Sequence, residues 1–295
     1  MTSSPTGRLR DLAEALKLPH TIFALPFAYV GGWVAAEGFP GWRVLSWVTL
    51  AMVGARTAGM AWNRILDLPF DRLNPRTAGW PVSQGRVTPP LLALLALVAT
   101  ALFLYSAGRL NLLCLRLAPI ALVALALYPM LKRFTWGCHW GLGIVLGMAP
   151  VGGWLAVTGQ WDPRALVLAG AVTLWVAGFD ILYGTLDLDF DRAHRLYSVP
   201  QRFGIGPALG VARWCHAGAV VLLGVFGMAT QRMSAYWVGW LGVSALLLYE
   251  HWLVSPTDLR RVHQAFFTVN GWVSGGLLVA TVIDCACPWP LPLSP

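Results

Sequence analysis

The chain has 295 residues, of which 57% are hydrophobic and 12% are charged, and its formal net charge is +8. A soluble domain carries about 25% charged residues, so this composition excludes an ordinary soluble protein. Apolar runs of about 20 residues recur throughout, and we predict an all-α polytopic membrane protein with one domain over residues 1–295.

The N-terminal segment predicts a short interfacial helix within residues 1–19. In GRLRDLAEALKLPH, Leu9, Leu12, Ala13 and Leu16 share one helical face, and basic residues surround it. At the other end, residues 286–295 form a Pro-rich tail. The five cysteines show no spacing typical of a metal or disulfide framework.

Nine membrane spans follow from the apolar runs, at roughly 20–37, 43–67, 90–108, 111–130, 137–158, 164–186, 208–230, 235–254 and 265–284. With this topology, one side of the membrane carries thirteen basic residues: Arg8, Arg10, Lys17, Arg72, Arg76, Arg86, Lys132, Arg133, Arg192, Arg195, Arg202, Arg260 and Arg261. The other side carries four: Arg43, Arg109, Arg164 and Arg232. The positive-inside rule therefore places the N-terminus in the cytoplasm, and the net charge reflects topology rather than a nucleic-acid partner.

The second span ends in an acidic stretch, NRILDLPFDRLNPRTAG. Asn63, Asp67 and Asp71 are spaced four residues apart. We expect Pro69 to end or kink the helix, which places Asp71 in the following loop. Arg56 lies on nearly the same face as Asn63, roughly 10 Å deeper at 1.5 Å per residue.

Two further polar stretches end spans on the same side. The segment YPMLKRFT carries Tyr128, Lys132 and Arg133. The segment from Asp180 to Arg192 carries Asp180, Asp187 and Asp191, whose spacing predicts a narrow stripe on one helix, whereas Asp189 points away into solvent.

Convergent carboxylates repel one another unless cations lie between them. One interpretation is that each acid pairs separately with a nearby arginine. The other is that the acids hold Mg²⁺, which binds through a few carboxylates and substrate phosphates, so that Lys132 neutralises the remaining charge of a diphosphate. Two acidic sets on one side of the membrane favour the second.

The buried position of Arg56 also has two interpretations. A charged side chain within a span is costly and usually functional. It either pairs inside the bundle with a carbonyl or an acid, or it anchors an anionic group of a substrate.

Three motifs in order resemble the UbiA superfamily of intramembrane prenyltransferases. The first, N-x-x-x-D-x-x-x-D with R-T, comprises Asn63, Asp67, Asp71, Arg76 and Thr77. The other two are Y-P-x-x-K-R, at Tyr128 to Arg133, and D-x-x-Y-x-x-x-D-x-x-x-D, at Asp180, Tyr183, Asp187 and Asp191. The resemblance covers nearly the whole chain, and several segments are similar to the menaquinone-pathway branch and to 4-hydroxybenzoate polyprenyltransferases.

The resemblance implies roles for these residues. Mg²⁺ would be held by Asn63, Asp67, Asp71, Asp180, Asp187 and Asp191, with Asp67, Asp71, Asp187 and Asp191 catalytic. Arg76, Tyr128 and Lys132 would bind the diphosphate. The mid-span position of Arg56 separately leads to the hypothesis that Arg56, with Asn63, binds the aromatic acceptor. The ring of Tyr183 is expected to shield the allylic cation. Where the family often has a second basic residue after R-T, this chain has Trp80, so Arg72 or Arg86 is expected to supply that contact.

The implied reaction transfers a polyprenyl group to an aromatic acid in quinone biosynthesis, with 1,4-dihydroxy-6-naphthoate or 4-hydroxybenzoate as acceptor. The expected location is the bacterial inner membrane, among its lipids, with the site open to the cytoplasm. Two alternatives remain at this point: a haem- or chlorophyll-type prenyltransferase, and a transporter with intramembrane acids.

Overall fold

The computed structural model of the protein describes residues 5–16 and 24–287. Its helices are α1 Pro5–Ala15, α2 Leu25–Ala35, α3 Trp42–Asp71, α4 Pro89–Leu110, α5 Leu112–Leu127, α6 Cys138–Thr158, α7 Pro163–Gly184, α8 Leu188–Ala193, α9 Val199–Phe203, α10 Ile205–Ala229, α11 Ser234–Leu253, α12 Val262–Gln264 and α13 Asn270–Ala286. Short 3₁₀-helices cover Tyr128–Arg133 and Thr185–Asp187, and a π-helix covers Ala265–Val269.

The predicted all-α membrane architecture is confirmed. Each predicted span coincides with a helix, and seven helical segments of the described chain are long and apolar enough to cross a bilayer. The first span begins among residues outside the described ranges, and α2 covers its described part. The eighth, α11, contains Glu250 and His251, which make it less apolar. The tail from residue 288 onward also lies outside the described residues.

The expectation that Asp71 lies in the loop after Pro69 is wrong, although α3 ends within two residues of that proline. Helix α3 runs through Pro69 and ends at Asp71, so Asp71 is helical rather than part of a loop. Proline removes one backbone donor, but here the loss falls in the last helical turn. The chain remains hydrogen-bonded beyond it, because the backbone N–H groups of Arg72 and Leu73 donate to the carbonyls of Leu68 and Phe70.

The predicted continuous stripe of Asp180, Asp187 and Asp191 is also wrong. Helix α7 ends at Gly184, a 3₁₀ turn contains Asp187, and Asp191 belongs to the separate helix α8. The Thr185 hydroxyl donates to the carbonyl of Leu182 at 2.6 Å and thereby stabilises the break. The three carboxylates consequently face different partners.

Helix α6 packs against both α2 and α7, α7 packs against α10, and α3 packs against α4. Glycines allow the close approaches around α6. Gly153 faces the carbonyl of Ala28 on α2, and Gly143 faces the carbonyl of Thr173 on α7, so neither position has room for a Cβ. Helix α5 packs more loosely against α6. This arrangement leaves a cavity enclosed by α2 to α7.

The N-terminal helix α1 lies against the segment that follows α3. Ala15 and Leu16 are buried in a small apolar cluster with Val82 and Val87, and Asp11 forms an ion pair with Arg86. Helix α1 thus covers the end of the bundle that carries the acidic motifs.

Candidate active site

A single cavity of about 780 Å³ brings the predicted site residues together. Its polar end is formed by the end of α3, the segment after it, the 3₁₀-helix Tyr128–Arg133 and the end of α7. The predicted residues that line it are Arg56, Asn63, Asp67, Asp71, Arg76, Tyr128, Lys132, Asp180, Tyr183 and Asp187. Asp191 lies behind this wall with a fully buried side chain.

Asp187 is held by a planar fork from Arg76. The Arg76 Nε donates to Asp187 Oδ1 at 2.9 Å and its Nη2 to Oδ2 at 2.6 Å, while Asn74 Nδ2 donates to Oδ1 at 2.9 Å. Burial lowers the pKa of Arg76, but the hydrogen bonds and charge of Asp187 outweigh burial and raise that pKa above its ordinary value. Arg76 therefore remains a permanent cation at the cavity wall.

Asp191 positions Lys132. The Lys132 Nζ lies 2.8 Å from Asp191 Oδ1, and the Ser198 hydroxyl donates to Oδ2 at 2.9 Å. The lysine side chain remains about one-third exposed, so its ammonium can reach an anion in the cavity while Asp191 holds it from behind.

The carboxylates of α3 also have separate cationic partners. Asp67 lies 3.5 Å from Arg133 Nη2 and accepts a 3.0 Å hydrogen bond from Asn63. Asp71 lies 3.2 Å from Arg64 Nη1. Arg64 is almost fully buried and also donates to the carbonyl of Ala15, which ties α1 to the site.

Asp180, deeper along α7, pairs with a histidine. His139 Nδ1 lies 2.6 Å from Asp180 Oδ2, and the backbone N–H of Val199 donates to His139 Nε2 at 3.3 Å. Because Nε2 accepts, Nδ1 carries the proton and donates to the carboxylate. His139 therefore holds one carboxylate oxygen of Asp180.

These pairings bear on metal binding. In the part of the chain that the structure describes, no three His, Cys, Asp or Glu side chains are close enough to hold a metal ion together. The chemistry of the donors nevertheless fits Mg²⁺, because four carboxylates and the amide of Asn63 line one cavity. Mg²⁺ needs only one or two carboxylates when phosphates supply the other ligands.

Trp80 lies between two arginines. The guanidinium of Arg64 is 4.1 Å from the centre of its ring and that of Arg76 is 5.8 Å away. The predicted substitutes are elsewhere: Arg72 is exposed, and Arg86 pairs with Asp11. Trp80 therefore packs against two basic groups of the site instead of adding one.

The cavity continues from the charged groups into an apolar region. Arg56 and Tyr128 line its middle, and Tyr128 is close enough to Arg56 to interact electrostatically. Beyond them, side chains of α4, α5 and α6 line the wall. Ile120 and Ile144 on α5 and α6 line the cavity and are more than half exposed, so the wall opens toward the surroundings of the bundle.

Sequence reasoning missed several residues of the site. Arg64, Asn74 and Ser198 each hold a motif carboxylate, and His139 holds Asp180. Arg64 and Asn74 lie within the segment NRILDLPFDRLNPRTAG, so the sequence alone shows that polar side chains occur at these positions. His139 and Ser198 reach the site only through the tertiary packing of α6 and α9, which no local spacing reveals.

Comparison with known proteins places this site in a family. A profile of the UbiA prenyltransferase family matches residues 24–272. The 4-hydroxybenzoate octaprenyltransferase of Alkalilimnicola ehrlichii is 31% identical over 266 residues, which cover 86% of each chain. The apo structure of a UbiA homolog from Aeropyrum pernix K1 is 36% identical, covers 90% of this chain and 98% of its own, and superposes with a TM-score of 0.83.

A more distant structure shares the fold alone. The UbiA homolog from Archaeoglobus fulgidus, bound to DMAPP and Mg²⁺, is 17% identical with a TM-score of 0.71, and the match covers 93% of this chain and 99% of that one. The chain belongs to the UbiA prenyltransferase family and is a transferase of prenyl groups, as its motifs predicted.

Proposed function

We propose that this prenyltransferase uses Mg²⁺ to transfer a polyprenyl group from polyprenyl diphosphate to the ring of an aromatic carboxylic acid in quinone biosynthesis. The observation that carries the proposal is the shape of the cavity, which joins a charged end to a long apolar region. Similarity to relatives such as the 4-hydroxybenzoate octaprenyltransferase of Alkalilimnicola ehrlichii supports 4-hydroxybenzoate as the acceptor. The segments similar to the menaquinone branch keep 1,4-dihydroxy-6-naphthoate as the second candidate.

The diphosphate would lie at the charged end, with Mg²⁺ between it and Asp67, Asp71 and Asp187. A Mg²⁺ ion held by these carboxylates would supply neutralisation of the leaving group's charge. Arg76 and Lys132 now contact Asp187 and Asp191. Both cations line the cavity and would bind diphosphate oxygens through charge-assisted hydrogen bonds.

The acceptor would lie deeper, between the charged end and Arg56. A guanidinium binds a carboxylate with two parallel hydrogen bonds, and this fork fixes the orientation of the ring. Arg56 lines the same cavity as Asn63 but lies two helical turns deeper on α3. The spacing leaves room for one aromatic ring, whose activated carbon then faces the first carbon of the prenyl chain. Holding both reactants in this way supplies a large part of the rate.

The reaction conserves charge and atoms. The bond between the prenyl carbon and the diphosphate oxygen breaks, and its electron pair leaves with diphosphate. A π-electron pair of the ring forms the new carbon–carbon bond, and the proton of the attacked ring carbon passes to an oxygen of the released diphosphate. The prenyl tail occupies the apolar region and extends between α5 and α6 into the lipid. The basic residues at the charged end favour a bacterial inner-membrane protein whose site opens to the cytoplasm.

The test uses the purified protein in lipid nanodiscs with Mg²⁺ and a polyprenyl diphosphate, and products are identified by mass. Separate reactions contain 4-hydroxybenzoate, 1,4-dihydroxy-6-naphthoate or a haem precursor. We expect C-prenylation of an aromatic acid, with 4-hydroxybenzoate the better acceptor. Exclusive prenylation of the macrocycle, or absence of any prenylated product with both acids, would contradict the proposal. Preference for the naphthoate would assign the protein to the other quinone branch.

A further inference from the structure

Aromatic side chains from two helical segments cover one side of the charged end. Phe179 and Tyr183 come from α7, and Phe266 and Phe267 come from the π-helix Ala265–Val269. All four line the cavity, and we call them the aromatic wall. The ring centres of Tyr183 and Phe266 are 4.3 Å apart, those of Phe266 and Phe267 4.7 Å, and those of Phe179 and Phe266 5.2 Å. Phe266 therefore lies at the centre of the wall.

Buried hydrogen bonds hold the π-helix in place. The Asn270 amide donates to the carbonyls of Ala265 and Phe266, each at 3.2 Å. It also donates to Glu250 at 3.1 Å and accepts a 2.7 Å hydrogen bond from the indole of Trp175. A π-helix is uncommon and is often found at functional sites. Here it brings two consecutive phenylalanines, Phe266 and Phe267, to the cavity surface.

The aromatic wall lies next to Arg76, which would hold the diphosphate. Arg76 donates to the Tyr183 hydroxyl at 3.2 Å, its guanidinium carbon lies 5.2 Å from the centre of the Tyr183 ring, and it binds Asp187 with its fork. The Tyr183 face thus already holds one cation next to the charged end. A prenyl carbon that leaves a diphosphate bound to Arg76 would develop its positive charge beside Tyr183 and Phe266.

We propose that Phe266 and Phe267 act with Tyr183 as catalytic residues that stabilise the allylic cation and exclude water from it. The proposal rests on the proposed function, in which the bond to diphosphate breaks, its electron pair leaves with diphosphate, and a ring carbon then captures the cation. The negative faces of aromatic rings attract a cation within about 6 Å of their centres. The same rings occupy the space from which water would otherwise attack the cation and form a prenyl alcohol.

The test varies the electrostatics of Phe266 without changing its shape. Phenylalanine analogues with one, two or three ring fluorines, introduced at position 266, progressively weaken cation binding to the ring face. We expect the rate of diphosphate release to fall stepwise, by about tenfold for the trifluoro ring. The apparent KM for the acceptor should change less than about twofold. The same analogues at Phe226, a fully buried residue of α10 outside the cavity, should leave the rate unchanged.

A second variant tests the exclusion of water. Phe266→Leu keeps an apolar side chain but removes the aromatic face, and we expect a larger fraction of the cleaved diphosphate to yield prenyl alcohol. A rate of diphosphate release that does not respond to fluorination overturns the proposal, and so does an effect confined to the acceptor KM, which would assign Phe266 to stacking on the acceptor. Diphosphate release is measured with and without acceptor, so a wrong acceptor leaves this test intact: the wall is then supported while the proposed function fails.

Discussion

The pair formed by Lys132 and Asp191 allows the structural and catalytic roles of a charged residue to be separated. Replacing Lys132 by Met keeps much of the apolar stem but leaves the fully buried Asp191 carboxylate, among the described residues, with the Ser198 hydroxyl as its one remaining partner. The double variant Lys132→Met/Asp191→Asn removes both charges, and the new amide oxygen can still accept the Ser198 hydrogen bond.

The expected loss follows from the geometry. At an effective dielectric constant of about 20, unit charges separated by the observed 2.8 Å attract each other by about 6 kcal/mol, and desolvation offsets part of this. Breaking a buried pair from one side costs about 3–5 kcal/mol. Because the lysine is about one-third exposed, solvent already screens it, and we expect the low end, about 3 kcal/mol, for Lys132→Met. The double variant should lose only about 1 kcal/mol.

Unfolding in mixed micelles titrated with SDS measures these free energies, and a double-mutant cycle with Asp191→Asn gives the coupling. We expect a coupling of about 2–3 kcal/mol. The double variant should remain inactive and bind polyprenyl diphosphate weakly, although its stability recovers. If the two losses simply add, the pair does not couple, and the structural argument is refuted. If activity returns with stability, Lys132 serves only as a counter-ion to Asp191.

Three further predictions concern the reaction itself. Excess EDTA should abolish turnover and Mg²⁺ should restore it, because the acidic groups have no role in activating a diphosphate without a metal; turnover that persists in EDTA would exclude a metal-dependent reaction. Asp187→Asn should lower kcat by at least about a hundredfold, whereas Asp189→Asn, on an exposed side chain of the same segment, should retain near-normal activity. If Asp187→Asn loses no more activity than Asp189→Asn, Asp187 has only a structural role. Arg56→Lys should raise the acceptor KM by about tenfold or more, with diphosphate binding unchanged, because lysine lacks the bidentate fork. Saturation kinetics of both substrates measure this change. A normal acceptor KM would mean that Arg56 has only a structural role in the bundle.

The helices were predictable because a bilayer imposes simple rules on the sequence. Apolar runs of sufficient length identify spans whatever the tertiary packing. The errors occurred where a local rule met a helix end. Helix α3 continues through Pro69 to Asp71, because the backbone N–H groups of Arg72 and Leu73 still form hydrogen bonds to the last turn. The spacing of Asp180, Asp187 and Asp191, seven and then four residues, suggested one face of a continuous helix, whereas the backbone changes to a 3₁₀ turn at Thr185.

The composition of the site was predictable from the motifs, but the pairing within it was not. Spacing along one segment brings Asp67 and Asp71 to the same cavity, yet their partners Arg133 and Arg64 follow from packing between helices. The aromatic wall shows the same limitation. Phe266 and Phe267 are ordinary hydrophobic residues in the sequence, and only the π-helix and its contacts with Tyr183 bring them to the site.

The pairing of the acids reconciles the two interpretations that the sequence left open. Four of the motif carboxylates form ion pairs with an arginine or lysine: Asp67 with Arg133, Asp71 with Arg64, Asp187 with Arg76 and Asp191 with Lys132. Each of these ion pairs limits the cost of burying its two charges within a membrane. A diphosphate alone would make the site strongly negative, and Mg²⁺ alone would make it positive. On the proposed function, joint binding would let the cations bind phosphate oxygens while the carboxylates bind the metal, so that the balance of charge would be kept. We therefore expect the residues of the ion pairs to form the metal site when both ligands bind, and we expect binding of Mg²⁺ and polyprenyl diphosphate to be strongly cooperative.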